Sequence, residues 1–276
     1  MKSSPLTETN SKGMINPFEF VKIIPPGTFC TLFGLEDLID QDLKTINFLE
    51  VGCGEGMYSK YILEAGARGT SIDYSDEALK YARQNLSRFV QEGLSKLENF
   101  DFLNGNLSLL GKFDVVFSIM VLEHIENEQL FLTRIREVLK PDGVAVIIVP
   151  SRMDAWGVED DQVGHLRRYS HESLKKSCEN VDFKVEKTIS IGVPVVNLLL
   201  RISNMLVAKY DHKKNSMAIE ERTKLSGTRD IPFKTTFPRI FRLILNRWSL
   251  WPLRILQRCF YRTEMGLISG VRLRHK

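Results

Sequence analysis

Ile46-Asn47-Phe48-Leu49-Glu50-Val51-Gly52-Cys53-Gly54-Glu55-Gly56 is an apolar run that ends in three alternating glycines. It reads as a buried strand, a tight turn, and then a helix over Met57–Ala65 whose N-terminus faces the turn. Glycine is needed where the backbone takes positive φ or comes close to a ligand. Free N–H groups at the helix start can meet ligand oxygens. Glu50, at the strand end, can accept from an amine or a hydroxyl. A dinucleotide site would read G-x-G-x-x-G. Here the third glycine comes one residue early, and Met57 holds the dinucleotide position. A strand–helix turn with no ligand is the bland alternative.

The same pattern repeats along the chain. A second strand is expected at Gly69–Asp73, then a helix from Ser75 to about Val90 with Ser75 as N-cap. A third strand is expected near Phe100–Leu103 and a fourth at Phe113–Ile119, apolar on both faces as in a buried parallel strand. A helix over Asn127–Leu139, a turn at Lys140-Pro141-Asp142-Gly143 and a fifth strand at Val144–Val149 follow. Ser151–Tyr169 reads as a polar loop, Ser170–Asn180 as a helix, Phe183–Ile191 as a sixth strand and Thr263–His275 as the last. Upstream, residues 1–16 read as a disordered lead-in, and Phe29–Leu43 as a helix. Strands alternating with helices imply a parallel sheet covered on both sides, which binds ligands at the carboxyl ends of its strands.

Composition sets few limits. The 276 residues fit one large domain or one domain with a sizeable insertion. A net charge of +4 is too mild to imply nucleic acid by itself. Cys30, Cys53, Cys178 and Cys259 form no C-x-x-C pair, so reduced thiols in a cytoplasmic protein are expected and no metal site is. Met1–Lys12 lacks a signal-peptide core, and no apolar run reaches the ~18 residues of a spanning helix.

The G-x-G-x-G loop after an acidic strand end resembles motif I of the class I S-adenosylmethionine-dependent methyltransferases. Phe113-Asp114-Val115-Val116 with Met120-Val121-Leu122-Glu123-His124-Ile125 resembles the family's fourth-strand signature, and Leu139–Gly143 its turn into the fifth strand. These matches cover about residues 46–150 in the family's order. The resemblance is to the broad small-molecule branch. It implies an α/β fold, a doubly wound Rossmann-like seven-stranded sheet whose last strand is antiparallel, with a helical insertion before it. The expected division is 1–45 lead-in and helix, 46–192 cofactor-binding core, 193–262 insertion, and 263–276 last strand.

It also implies S-adenosyl-L-methionine as cofactor, with Gly52, Cys53, Gly54 and Gly56 around its amino-acid part. Asp73, which closes the second strand, can take both ribose hydroxyls, although a turn or capping aspartate is the alternative. Tyr74 can lie against adenine. At Gly105-Asn106-Leu107 the family often has Gly-Asp; Asn106 can still accept from the adenine amine, and a plain Asn104-Gly105 turn is the rival. Leu107 and Met120 complete the expected cofactor contacts. His124 follows the fourth strand, where an acceptor would approach. Gly164-His165-Leu166-Arg167-Arg168-Tyr169 resembles a His-x-x-x-Tyr/Phe segment of these enzymes. His165 can deprotonate or orient an acceptor, with Asp160 or Asp161 holding the imidazole. Structural roles for both histidines stand beside the catalytic ones.

Val193–Ala208 is mostly apolar. Phe237–Arg262 carries Arg239, Arg242, Arg247, Arg254, Arg258 and Arg262 and no acidic residue, with Trp248 and Trp251 interleaved. Packing on the sheet, contact with an anionic membrane or lipid phosphate, and RNA are the three readings; nucleic acid is not the expected partner. Methyl transfer to an oxygen or nitrogen of a sugar, a glycolipid precursor or a quinone-like ring is expected, on a small-molecule or lipid-linked acceptor. The chain is expected in the cytoplasm, peripheral on the inner membrane face. A non-catalytic nucleoside-binding module of the same fold is the alternative.

Overall fold

A computed structural model describes residues 18–210 and 232–276. The expected lead-in at 1–16 and the middle of the insertion lie outside the described residues. Strand β1 (Phe20–Lys22), helix α1 (Pro26–Ile39), a 3-10 turn at Leu43–Thr45 and strand β2 (Asn47–Val51) precede the glycine loop. Pro26 starts α1 because its fixed φ suits the first helical position and its missing N–H costs nothing there. Asp40, in the left-handed region, ends it.

Helix α2 (Met57–Glu64), strand β3 (Arg68–Asp73), helices α3 (Asp76–Asn85) and α4 (Ser87–Gln91) and strand β4 (Ser95–Asn99) follow. Ser75 caps α3 by accepting from the Ala78 N–H, as its sequence position predicts. The third core strand lies upstream of the expected Phe100–Leu103. β4 is an edge strand of polar residues and gives no apolar run. The apolar signal came instead from Phe100 and Phe102, which pack into the core from the turn after it.

Strand β5 (Phe113–Ile119), helix α5 (Glu128–Val138) and strand β6 (Leu139–Pro150) extend the sheet on the other side of β2. The expected Lys140–Gly143 turn is a bulge inside β6. Phe113 pairs with Leu139 and Val115 with Val144, so Lys140 to Gly143 all stand opposite Asp114. Helices α6 (Val158–Val163) and α7 (His171–Glu179) lead to strand β7 (Phe183–Ile191). The insertion contributes helix α8 (Val195–Tyr210), strand β8 (Thr236–Pro238), a 3-10 turn at Arg239–Leu243 and helix α9 (Trp251–Arg258), before strand β9 (Ile268–His275). β8 pairs with β1, a two-stranded ribbon that the sequence pattern did not announce.

The seven-stranded sheet has the order β4-β3-β2-β5-β6-β9-β7, with β9 antiparallel to both neighbours. Alternate strand residues serve two cores. Phe48, Val115, Phe117, Val146 and Ile148 meet α1 and α2 on one face. Leu49, Val116, Ala145, Ile147 and Val271 meet α5 and α7 on the other. Strand order reverses at β2, so its carboxyl end opens the crevice where such sheets take ligands. Among the described residues no helix is long and apolar enough to cross a membrane.

Candidate cofactor and acceptor site

The glycine loop caps that crevice. Gly52, Gly54 and Gly56 all take positive φ. The N–H groups of Gly52 and Cys53 donate to Ile72 O at 2.9 and 3.0 Å, binding the loop to the end of β3. A Cβ on Gly52 would strike Val121, whereas one on Gly54 would meet nothing within 4 Å. The loop is thus pressed against the β5 end and open at Gly54. Cys53 is buried against Leu79 and Ala82. Met120, at the end of β5, has a φ of 56°, a left-handed conformation that a non-glycine residue takes only where its surroundings enforce it. Its N–H donates to Ile148 O at 2.8 Å.

Two carboxylates stand beneath the loop. Glu50 is fully buried and accepts from the Ser59 N–H at 2.9 Å and from the Ser59 hydroxyl, which in turn contacts Ser71 Oγ. Burial outweighs the Ser59 bonds and raises its pKa to about 8. Glu50 therefore ties β2 to α2. Asp73 accepts from the Gly54 N–H at 2.8 Å and from the Ser75 N–H at 2.9 Å, and burial raises its pKa. It holds the loop in shape, and the carboxylate has lone-pair sites beyond the two in use.

Tyr74 is exposed at the same edge. Asn106 opens the turn after β4. Its carbonyl oxygen accepts from the Ser108 N–H at 3.1 Å and the Ser108 hydroxyl at 2.8 Å. A bond from an adenine amine would have to displace one of these. Leu107 is half-buried beside it. Lys22, from β1, reaches over the loop and pairs with Glu55 at 2.6 Å; partners so distant along the chain leave no sequence signal.

A second cluster of titratable groups is built on α6. Asp160 receives His165 Nδ1 at 2.6 Å, Arg168 Nε at 2.8 Å, Arg168 Nη2 at 2.9 Å and the Gly157 N–H at 2.8 Å. Burial pushes its carboxyl up, but the bonds from His165, Arg168 and Gly157 prevail and hold it at about 2. The ionised oxygen fixes the proton of His165 on Nδ1 and leaves Nε2 as an acceptor. Asp161, the other candidate, takes the Trp156 indole N–H instead, at 2.9 Å.

His165 Nε2 lies 3.7 Å from Glu123 Oε1. Glu123 is fully buried, neither of its oxygens has a hydrogen-bond partner, and burial raises its pKa to about 8. The His124 ring meets the His165 ring edge-on at 4.8 Å, with Nδ1 3.2 Å from Gly164 O. Burial, then the neighbouring His165, lower its pKa to about 4, so it is neutral at physiological pH. Glu123, His124 and His165 each offer one ligand-type atom within 4.8 Å of the others. The orphaned carboxylate is the group the sequence motif contained but did not single out.

The insertion arginines turn inward. Arg247 and Arg254 reach Glu36 at 2.8 and 2.6 Å, Arg254 reaches Asp37 at 2.6 Å, and Arg258 Nε reaches Asp37 at 2.8 Å, with the Tyr261 hydroxyl donating to Asp37 at 2.6 Å. Arg239 pairs with Glu19 at 2.7 Å. Four of the six arginines of Phe237–Arg262 thus meet carboxylates of the chain, Arg254 half-buried on α1 and Arg258 still exposed.

Residues 32–188, more than half of the chain, match the profile of a family described as methyltransferase domain. A Mycolicibacterium smegmatis protein named as an S-adenosylmethionine-dependent methyltransferase is 28% identical over 149 residues, 52% of this chain and 54% of that protein. A ubiquinone biosynthesis O-methyltransferase of Haemophilus ducreyi is 34% identical over 110 residues, 38% of this chain and 45% of that protein. The chain spans about half the length of the curated relatives it matches. Among solved structures, a Galdieria sulphuraria protein provisionally designated a sarcosine dimethylglycine methyltransferase aligns with a TM-score of 0.54 and 12% identity, over 90% of this chain and 84% of that one. The [4+2]-cyclase SpnF aligns with a TM-score of 0.54 and 16% identity, over 89% and 81%. At such identities the likeness is one of fold.

Proposed function

The chain belongs to the methyltransferase-domain family, and from that membership we propose that it transfers a methyl group from S-adenosyl-L-methionine to an oxygen or nitrogen of a small molecule. The cofactor's sulfonium supplies an activated methyl; the protein's part is to align donor and acceptor, exclude water and take a proton. Alignment alone can contribute about 7–11 kcal/mol in favourable cases. Gly52, Cys53, Gly54 and Gly56 would wrap the amino-acid part, Asp73 the ribose, and Tyr74, Asn106, Leu107 and Met120 the adenine end. Residues 46–192 with 263–276 form the cofactor unit in this reading, and 193–262 shape the acceptor side.

The observation that carries the reading is the Asp160–His165 pair at 2.6 Å. An acceptor hydroxyl set against Nε2 would lose its proton to His165 as its oxygen attacks the methyl carbon. The cofactor would supply the methyl group to that oxygen and leave as S-adenosylhomocysteine, while the ionised Asp160 would stabilise the imidazolium. The similarity to ubiquinone biosynthesis O-methyltransferases supports an aromatic hydroxyl of a quinone-like ring; a sugar or glycolipid precursor is the wider class. A lipid-linked acceptor, met by a cytoplasmic chain in peripheral contact with an anionic membrane through Phe237–Arg262, belongs to the same proposal.

Calorimetry with S-adenosylmethionine, followed by S-adenosylhomocysteine release with a panel of catechols, quinols and sugars, tests it. Tight NAD binding without adenosylmethionine binding would sink it. A non-catalytic nucleoside-binding module predicts cofactor binding with no turnover on any acceptor. A divalent cation held by Glu123, His124 and His165 is a second reading, favoured by the unpartnered Glu123; turnover that a chelator abolishes and added cation restores would select it.

A further inference from the structure

Helix α9 turns polar groups onto α1: Arg254 and Gln257 reach Glu36, Asp37 and Cys30 O, and Arg258, itself exposed, also bonds Asp37, while Trp251, Ile255 and Leu256 are exposed. The turn before it continues this outer surface with Leu243 at 76% exposure, Ile244, and Trp248 at 84%. Soluble proteins seldom leave so large an apolar cluster open unless something covers it. The surface cannot fold inward, because the arginine–carboxylate bonds beneath it fix the segment on α1.

Charge says what the cover is. Phe237–Arg262 contains no acidic residue. Arg242 and Arg262 are exposed, and Arg242 opens onto a cavity of about 360 Å³. Lys22 and Arg247 line that cavity with Arg242, Ile24 and Phe29 form its apolar side, and Glu64 is its one acidic group. Cations beside exposed tryptophans suit an anionic lipid–water boundary, where indoles settle at headgroup depth. A second copy on the same face would set Arg242 and Arg262 against their own like. Pro252 and the short run of α9 suit a segment that lies flat.

We infer that the outer face of residues 240–256 docks on a bilayer containing anionic lipid, with Leu243, Ile244, Trp248 and Trp251 entering the boundary and Arg242 receiving a headgroup phosphate. Helix α8, packed on α1 like α9, also packs on α6, which carries Asp160. The docked face is therefore joined to the acceptor side, and the purpose of docking, delivery of a lipid-linked acceptor, rests on the proposed function.

The test is sedimentation of the full chain with phosphatidylcholine vesicles with and without phosphatidylglycerol, alongside calorimetry with S-adenosylmethionine. Binding should require phosphatidylglycerol, weaken with salt and blue-shift tryptophan fluorescence. Arg242→Gln should weaken it about fivefold, the loss of one basic group at an anionic surface. Leu243→Ser with Trp248→Ser should weaken it further, with cofactor affinity unchanged within about twofold in both variants. No sedimentation at low salt, binding indifferent to these substitutions, or a dimer in equilibrium sedimentation that Trp248→Ser dissolves would overturn the inference. The cofactor measurement stands apart: vesicle failure with intact cofactor binding removes only the docking surface, and absent cofactor binding removes only the methyltransferase reading.

Discussion

Asp160 Oδ1 stands 2.6 Å from His165 Nδ1, a short step along the chain, and the same carboxylate receives Arg168 and the Gly157 N–H. One acidic residue thus shapes the α6 turn and sets the tautomer of the imidazole. His165→Ala should lower methyl-transfer turnover by about 10²–10⁴-fold and leave cofactor affinity within about twofold. Steady-state kinetics with an identified acceptor check this. Turnover within twofold of the parent would assign His165 to the architecture of the loop.

Asp73→Ala should weaken binding of S-adenosylmethionine and of S-adenosylhomocysteine by roughly 1.5–3 kcal/mol, the loss of hydrogen bonds to a buried carboxylate. Isothermal calorimetry reads both. Affinity unchanged in a folded variant would leave Asp73 only its bonds to Gly54 and Ser75.

Glu123 and Glu50 both have folded pKa values raised to about 8 from an ordinary 4.5. A group raised in this way contributes stability that is fully present below 4.5 and is lost as pH rises towards 8. The parent should therefore lose stability to urea between those limits. Glu123→Gln, neutral throughout, should flatten part of the decline. An identical slope in parent and variant would show that Glu123 is ionised in the folded protein or bound to a cation.

Asp37 is buried beneath Arg254, Arg258 and the Tyr261 hydroxyl; burial raises its carboxyl, and those bonds outweigh it and hold the pKa at about 2. Its contribution is present above its ordinary 3.8 and is lost as pH falls towards 2. Asp37→Ala removes a partner of Arg258 and of the Tyr261 hydroxyl while Arg254 keeps Glu36, and should cost roughly 1–3 kcal/mol. Thermal melting should fall, and limited proteolysis should cut first within Phe237–Arg262. A variant as stable and as protease-resistant as the parent would mean that Asp37 does not hold the insertion to α1.

Most of the core was legible because its signals are local. The buried strand at 113–119, the strand at 183–191 with its apolar ends, the Ser75 and Ser170 caps and the glycine turn all depend on residues a few positions apart. Edge strand β4 was not legible, since a strand with one partner and a wet face needs no apolar run, whereas Phe102 in the turn beyond it is buried against Phe131. The β1–β8 ribbon joins Phe20–Lys22 to Thr236–Pro238, segments far apart in the chain, and leaves no periodicity in either. Asn106 was read by its position in a motif; that its side chain also bonds Ser108 was not.

By itself the sequence determined the alternation of strands and helices, the glycine loop with Asp73 beyond it, and the histidines after the fourth and fifth strands, because hydrophobic period and glycine spacing are properties of neighbours along the chain; the doubly wound order followed from the family resemblance. Only the tertiary structure decided which groups share a charge. It chose Asp160 over Asp161 for His165, left Glu123 without a hydrogen-bond partner, and turned Arg247, Arg254 and Arg258 onto Glu36 and Asp37. Electrostatic pairing depends on distance and burial, and both arise only once helices as distant in sequence as α1 and α9 pack on one another.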